Sequence, residues 1–222
     1  MSKIGGLKVV LFDLDNTLFP SYMFSSLARK NAIKAMIASG LKTTQKKGLQ
    51  TLQKIIDKKG SNYSRHFDEL TKHFECKNKD YAIAAGVWAY HCTKASICPF
   101  EGVVKLLNSL RKKGYTLCIA SQGFAVKQWD KLIYLGLDMS FEHVFITKPS
   151  TKTKSFYAKI AKKLKLNPEQ ILMVGDNPKD DILAAKSAGL KTAFVASQKH
   201  GNKCRSADVK ISSISSLRQI LL

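Results

Sequence analysis

The sequence predicts an α/β protein: a parallel sheet with helices on both faces and a helical insertion near the start. Short continuous apolar runs, of the kind that fill strands buried on both faces, recur at 8–12, 115–120, 144–146, 171–174 and 192–195. Helical periodicity occupies 103–112, 126–135, 155–164 and 182–188, and strands alternating with helices indicate a parallel arrangement. About 100 residues separate the first run from the second, far more than one crossover needs. A further element is therefore inserted there.

The first strand, Lys8-Val9-Val10-Leu11-Phe12, ends at Asp13. Beyond it, Phe24, Leu27, Ala28, Ala32, Ala35 and Met36 share helical spacing, as do Leu49, Leu52, Ile55 and Ile56, and the pattern resumes over 81–90. We read 21–95 as an α-helical cap subdomain, and 1–20 with 96–222 as the core domain. In the core, Gly114, Gly136 and Gly189 each fall just past a helical run, where a left-handed terminating residue is wanted.

A chain of 222 residues with 45% apolar and 24% charged residues, 13 Gly and 5 Pro can bury a full core. That excludes a disulfide-stapled mini-protein, collagen, a coiled coil and wholesale disorder. No apolar run reaches the roughly 18 residues that span a bilayer, and the N-terminus shows no cleavable signal pattern. A cytoplasmic protein with no membrane partner is expected. The five cysteines are odd in number and lack a C-x-x-C pair, which disfavours disulfides and a structural zinc site.

Lys and Arg number 37 against 16 Asp and Glu, a net charge of +21 that attracts phosphates, nucleic acids or anionic surfaces. Of the 37, 32 are Lys. Arg is the residue suited to bidentate readout of bases and phosphates, so the lysine excess reads as surface composition ahead of a built nucleic-acid interface. The insertion, with 14 basic and 5 acidic residues, is only slightly richer in positive charge than the rest, while 148–168 carries seven lysines and no acid.

The chemistry gathers at strand ends. Asp13-Leu14-Asp15-Asn16-Thr17 follows the first buried strand, and carboxylates two residues apart in an extended or turning segment can face one ion or substrate. Open parallel sheets bind ligands beyond this end of their strands. Ser121-Gln122-Gly123 follows the second run and offers a hydroxyl and N–H groups to a phosphate oxygen. Gly175-Asp176-Asn177-Pro178-Lys179-Asp180-Asp181 places three carboxylates at a turn, where hard-cation ligands belong, and Asp180 or Asp181 is also expected to cap the following helix. The lysines before 155–164 supply one fixed positive charge for a phosphoryl group.

Carboxylate pair, hydroxyl, lysine and carboxylate cluster, in this order at successive strand ends, resemble the four motifs of the haloacid dehalogenase superfamily across the whole chain. The insertion is similar to the cap of that superfamily's small phosphatases, and the segments 28–41, 59–68, 90–94 and 125–131 resemble an archaeal branch known in part as glyceraldehyde 3-phosphate phosphatases. The resemblance implies a Rossmann-like parallel-sheet core. It implies Asp13 as the nucleophile that forms an aspartyl-phosphate, and Asp15 as general acid and then base. It further implies Mg2+ bound by Asp13, the Asp15 carbonyl and Asp176, with Asp181 and Asp180 orienting metal-bound water. Ser121, Asn16, Thr17, Gln122 and Gly123 would hold the substrate's phosphoryl oxygens.

For the third motif, Lys148-Pro149 matches the family's dipeptide but lies 28 residues before Asp176. Counting back without gaps favours Lys152, 24 residues before it, with Lys148 and Lys154 as alternates. The dehalogenases resemble the phosphatases but lack a carboxylate where Asp15 stands, since a halide needs no acid. Asp15 therefore favours phosphoryl transfer.

The cap is expected to set specificity by closing over the site, with Asn62, Tyr63, His66, Tyr90, His91 and Lys94 as candidates. The expected activity is Mg2+-dependent hydrolysis of a small phosphorylated metabolite, with glyceraldehyde 3-phosphate as the family-derived substrate, by a monomer or homodimer. A phosphoglycolate phosphatase, a nucleotide monophosphatase and a phosphosugar mutase stay open within the superfamily. A basic nucleic-acid or polyanion binding protein on an inherited fold is the alternative from another class.

Overall fold

The structure, a computed structural model, describes residues 5–198 and 200–222. The chain forms two compact units: one runs through Tyr22 and resumes at Cys98–Leu222, and the other is Met23–Ile97.

The first unit is built on six parallel strands: β1 (Val9–Phe12), β2 (Thr116–Gln122), β3 (His143–Thr147), β4 (Ile171–Gly175), β5 (Lys191–Val195) and β6 (Val209–Ile211), in the spatial order β3-β2-β1-β4-β5-β6. It is the α/β Rossmann-like sheet that the alternating pattern predicts. In the middle strands both alternating sets of side chains are buried, which is why these strands read as unbroken apolar runs. Val9, Leu11, Cys118, Ala120, Ile171 and Met173, each two apart on its strand, form one core layer with Tyr157, Ile160 and Ala161. Those three belong to α7 (Lys154–Leu164); on another helix of the unit, α5 (Val103–Lys112), Val103, Leu106, Leu107 and Leu110 make a buried stripe at helical spacing.

β2 runs two residues beyond the sequence reading, because its pairing with β3 continues through Ser121 and Gln122. α6 (Ala125–Tyr134) links the two, and it ends as expected before Gly136, at φ 63°. β4 leads into a π-helical turn, Pro178–Leu183, and then α8 (Ala184–Ser187), so helical structure starts earlier than 182. Asn177, with Pro178 behind it, starts the turn: its side chain accepts from Lys179 N and Asp180 N. The cap is thus Asn177 and neither Asp180 nor Asp181, whose carboxylates stay available.

β6 was not expected. Asp208, just before it, accepts at Oδ2 from Thr192 N (2.8 Å) and Thr192 Oγ1 (2.7 Å), and at Oδ1 from Lys186 Nζ (2.8 Å), which ties this edge strand to β5. A short closing helix, α9 (Arg218–Leu221), follows. The five cysteines are free.

The second unit is helical: α1 (Ser21–Ala38, which begins in the first unit), α2 (Gln45–Lys59), α3 (His66–Thr71) and α4 (Lys79–Ala95). Thr44 and Asn78 cap α2 and α4, accepting from Lys47 N and Tyr81 N. Ile33, Met36, Leu41, Leu52, Ile55 and Leu70 form its core. Gly86 lets α4 approach α1 closely, since a Cβ there would meet Met36 Cγ at 2.7 Å. Among the described residues, no helix is long and apolar enough to cross a membrane.

Candidate active site

β1 has β2 on one side and β4 on the other, so successive crossovers diverge from its C-terminal end. A crevice at such a switch point is where open parallel sheets bind ligands. Asp13 stands there, its N–H donating to the Val174 carbonyl at 2.9 Å, and Asp176 follows β4. Lys152, two residues ahead of α7, reaches Asp13: its Nζ donates to Asp13 Oδ1 at 2.7 Å and to Asp181 Oδ1. Lys148 and Lys154 are exposed. Of the three lysines, Lys152 is the one brought to Asp13.

Asp13, Lys152, Asp176 and Asp181 are all buried, at 7%, 3%, 4% and 1% exposure. The close fit depends on Gly175, because a Cβ there would run into the Asp181 side chain. Asp181 Oδ2 also accepts from Asn177 N at 3.0 Å, and Thr17 Oγ1 donates to Asp13 Oδ2 at 3.2 Å. Both oxygens of the Asp13 carboxylate are thus held.

Three buried carboxylates share one buried ammonium, and the imbalance shows in their acidities. Burial raises Asp13 to about 7, the Lys152 charge opposing the rise and the Asp181 and Asp15 charges adding to it. Burial also raises Asp181, again against Lys152. For Lys152 burial works downward, but the charges of Asp13 and Asp181 overcome it and hold the ammonium well above the usual lysine range. Such a site calls for more positive charge. Asp13, Asp176 and Asp181 each offer an oxygen within 4.8 Å of the others, an all-oxygen donor set of the kind that suits a small hard cation.

Asp15 is half-buried and faces a second lysine. Lys131 Nζ, from the last turn of α6, donates to Asp15 Oδ1 at 2.7 Å and Oδ2 at 2.6 Å, and to Gln128 Oε1 at 3.2 Å. Gln128, 5% exposed, accepts from Ser121 Oγ at 3.3 Å and donates to the Gln122 carbonyl at 3.2 Å. A hydrogen-bonded chain therefore runs from Ser121 through Gln128 and Lys131 to Asp15.

The remaining expected site residues are placed as follows. Asn16 adopts a left-handed φ of 59°, and its Oδ1 accepts from Ser21 Oγ and Tyr22 N at the start of α1. Thr17 serves Asp13. Gln122 bridges Asp180 Oδ2 and the N–H of Ser150, both at 3.2 Å, and Gly123 N–H is given to the Thr147 carbonyl at 2.8 Å. Asp180 is held by Gln122 and Asn177, outside the three-carboxylate cluster. In the helical unit, Tyr63 stacks edge-on against His66, and Tyr90 against His91 and Phe67.

Residues 10–195 match the haloacid dehalogenase-like hydrolase family. The chain belongs to that family. A relative from Methanothermobacter thermautotrophicus, named glyceraldehyde 3-phosphate phosphatase, is 37% identical over 97% of this chain and all of its own length. Another of the same name, from Methanopyrus kandleri, is 38% identical over 87% of this chain and 86% of its own. Among solved structures, the HAD phosphatase from Thermococcus onnurineus superposes with a TM-score of 0.66 at 20% identity, covering 96% of this chain and 97% of that one, which establishes the shared fold.

Sequence reasoning missed Lys131 and Gln128 as members of this haloacid dehalogenase-like site. Their three-residue spacing on the helix after the Ser121 strand was the available signal, since it puts both on one face.

Proposed function

We propose that this enzyme, a phosphatase of the haloacid dehalogenase-like family, hydrolyses glyceraldehyde 3-phosphate or a close three-carbon relative, through a phosphorylated Asp13. The buried Asp13–Lys152–Asp181–Asp176 cluster at the ends of β1 and β4 carries the reading, and the names of the 37–38% identical relatives supply the substrate. The polyanion-binding alternative is not favoured: the relatives are named phosphatases, and the buried carboxylate cluster is assembled at the strand ends.

Asp13 and Asp176 would hold Mg2+, with Asp181 behind them on Lys152. When bound, Mg2+ supplies the positive charge that lets an anionic carboxylate approach an anionic phosphoryl group. Lys152 and Thr17 fix the two Asp13 oxygens, so the nucleophile is oriented before the substrate arrives. An Asp13 oxygen bonds to phosphorus as the bond to the leaving oxygen breaks, and Asp15, protonated on one oxygen for this step and held by Lys131 through the other, passes its proton to the leaving oxygen. Asp15, now a carboxylate, takes a proton from water whose oxygen bonds to phosphorus. The Asp13–phosphorus bond breaks, releasing inorganic phosphate and restoring both residues.

The test is phosphate release from a panel holding glyceraldehyde 3-phosphate, phosphoglycolate, nucleoside monophosphates and hexose phosphates, with Mg2+ and with EDTA. Mg2+-dependent turnover with the highest kcat/KM for glyceraldehyde 3-phosphate supports the proposal. A preference for another panel member replaces the substrate, and turnover in EDTA equal to that in Mg2+ overturns the metal dependence.

A further inference from the structure

We infer that Lys131 is a positioning residue that sets the place of the Asp15 carboxylate, and that Gln128 ties this placement to Ser121 on the neighbouring strand. The inference rests on the phosphatase reading, since it concerns how the leaving group receives its proton. Lys131 Nζ grips both Asp15 oxygens, at 2.7 and 2.6 Å, across 116 residues of sequence. The Lys131 and Asp15 side chains are 21% and 33% exposed, and a lone ion pair at such exposure is a weak constraint on either partner.

Lys131 is not alone. Gln128 Oε1, one turn earlier, accepts from the same ammonium, and the Phe19 ring lies 5.9 Å below it. Gln128 is itself fixed, because Oε1 also takes the Ser121 hydroxyl and Nε2 is spent on the Gln122 carbonyl. Gly123 clears its path, since a Cβ there would meet Gln128 Nε2 at 2.5 Å. The lysine thus has a defined place, and through it so does Asp15. The arrangement joins the hydroxyl expected to face the transferring phosphoryl group with the carboxyl expected to face the leaving oxygen.

Proton donation matters most where the leaving group is poor. An alkyl alkoxide needs its proton in the transition state, and general acid catalysis is worth roughly 100- to 10,000-fold, whereas a nitrophenolate leaves without help. The experiment compares kcat/KM, which reports the steps up to leaving-group departure, for an alkyl monoester that the wild type turns over and for p-nitrophenyl phosphate. Lys131→Met is expected to lower the alkyl value by about 10- to 100-fold and the aryl value by less than about threefold. Lys131→Arg, which keeps a cation on the same face, should restore most of the alkyl activity while thermal unfolding stays unchanged across the set.

Equal losses on both esters, or none on either, overturn the role of Lys131 while leaving the phosphatase reading intact. A loss confined to KM for both esters assigns Lys131 to substrate phosphate and also overturns it. A wild type that hydrolyses no alkyl monoester of the substrate panel and no p-nitrophenyl phosphate in Mg2+ overturns the phosphatase reading, and the inference falls with it.

Discussion

Lys152 with Asp13 and Asp181, and Lys186 with Asp208, pair the same two residue types on one sheet, yet their carboxylates move in opposite directions. At the first, burial raises Asp13 to about 7 and raises Asp181 as well. At the second, burial also works upward, but bonds from Lys186 and Thr192 outweigh it and hold Asp208 below the usual carboxylate range. Two differences decide the sign. The Lys152 side chain is 1% exposed and serves two carboxylates, with a third beside them; the Lys186 side chain is 45% exposed and serves one. A buried group of anions short of cations is held at an energetic cost, and sites that act on substrates are where such costs are met. The exposed pair merely latches β6 to β5.

The largest effect that separates the two clusters is on turnover. Asp13→Asn should lower phosphate release by at least about 1,000-fold, because a carboxamide cannot carry the phosphoryl group. Asp208→Asn should leave kcat/KM within about twofold. An Asp13→Asn enzyme within tenfold of wild type would break the comparison, and so would an equal loss at Asp208.

Next in size is the dependence of the fold on each lysine. Lys152→Met leaves buried carboxylates without their cation, and stripping one partner from a buried ion pair costs about 3–5 kcal/mol. Lys186→Met removes a half-exposed partner and should cost less than about 1 kcal/mol. Urea denaturation without Mg2+ measures both, and similar losses would show that burial does not set the difference.

Much of the first cluster was legible in the sequence, and little of the second. A buried parallel strand must be apolar on both faces, so β1, β2, β4 and β5 stood out, and the carboxylates just past β1 and β4 stood out against them. Gap-free counting from Asp176 placed Lys152 because a helix and a strand, both of fixed rise, lie between them. Lys131 and Gln128 were harder to see: their three-residue spacing puts them on one helix face, but one lysine among 32 does not reveal that the carboxylate it meets lies 116 residues away. β6 has three residues, one of them Lys210, too few to show a period. The sequence offers Gly123 for its N–H and gives Gly175 no role of its own, whereas the structure uses each to admit a side chain, which no local pattern reveals.

The two clusters should also answer pH with opposite signs. Asp13 titrates near 3.8 in the unfolded chain and at about 7 in the fold, so between these values the native state holds a proton that the unfolded state has lost. Stability from this group is present below about pH 4 and drains away as pH rises through about 7. In EDTA, stability should therefore fall over this interval, by on the order of 4 kcal/mol. Mg2+ favours the ionised carboxylate and should restore stability most at pH 8. Asp208 works the other way: its folded pKa lies below 3.8, so its contribution is present above about pH 4 and is lost only as pH falls further. EDTA profiles of Asp13→Asn and Asp208→Asn assign the limbs, the first flattening the neutral slope and the second the acid one. A neutral slope that survives Asp13→Asn unchanged would detach it from Asp13 and leave Asp181, which burial also raises, as its source in the site.

The smallest effect tests what keeps Asp208 ionised. Thr192 Oγ1 donates to Asp208 Oδ2 at 2.7 Å and accepts from Asp208 N at 3.1 Å, so one hydroxyl closes a ring around the start of β6. Thr192→Val keeps the shape, the β-branched preference for a strand and the Thr192 N–H bond to the same carboxylate, and removes only that hydroxyl. The loss should be about 1 kcal/mol, the usual net worth of such a bond, and it should shrink below pH 4 as Asp208 takes up a proton. Phosphate release should not change, because the hydrogen bonds that Asp208 makes among the described residues go to Lys186 and Thr192 and not to the Asp13 network. If the loss were instead independent of pH, the hydroxyl would be serving the Asp208 N–H alone. Lys186 would then be left as the main reason that Asp208 is held below the usual carboxylate range where Asp13 is raised above it.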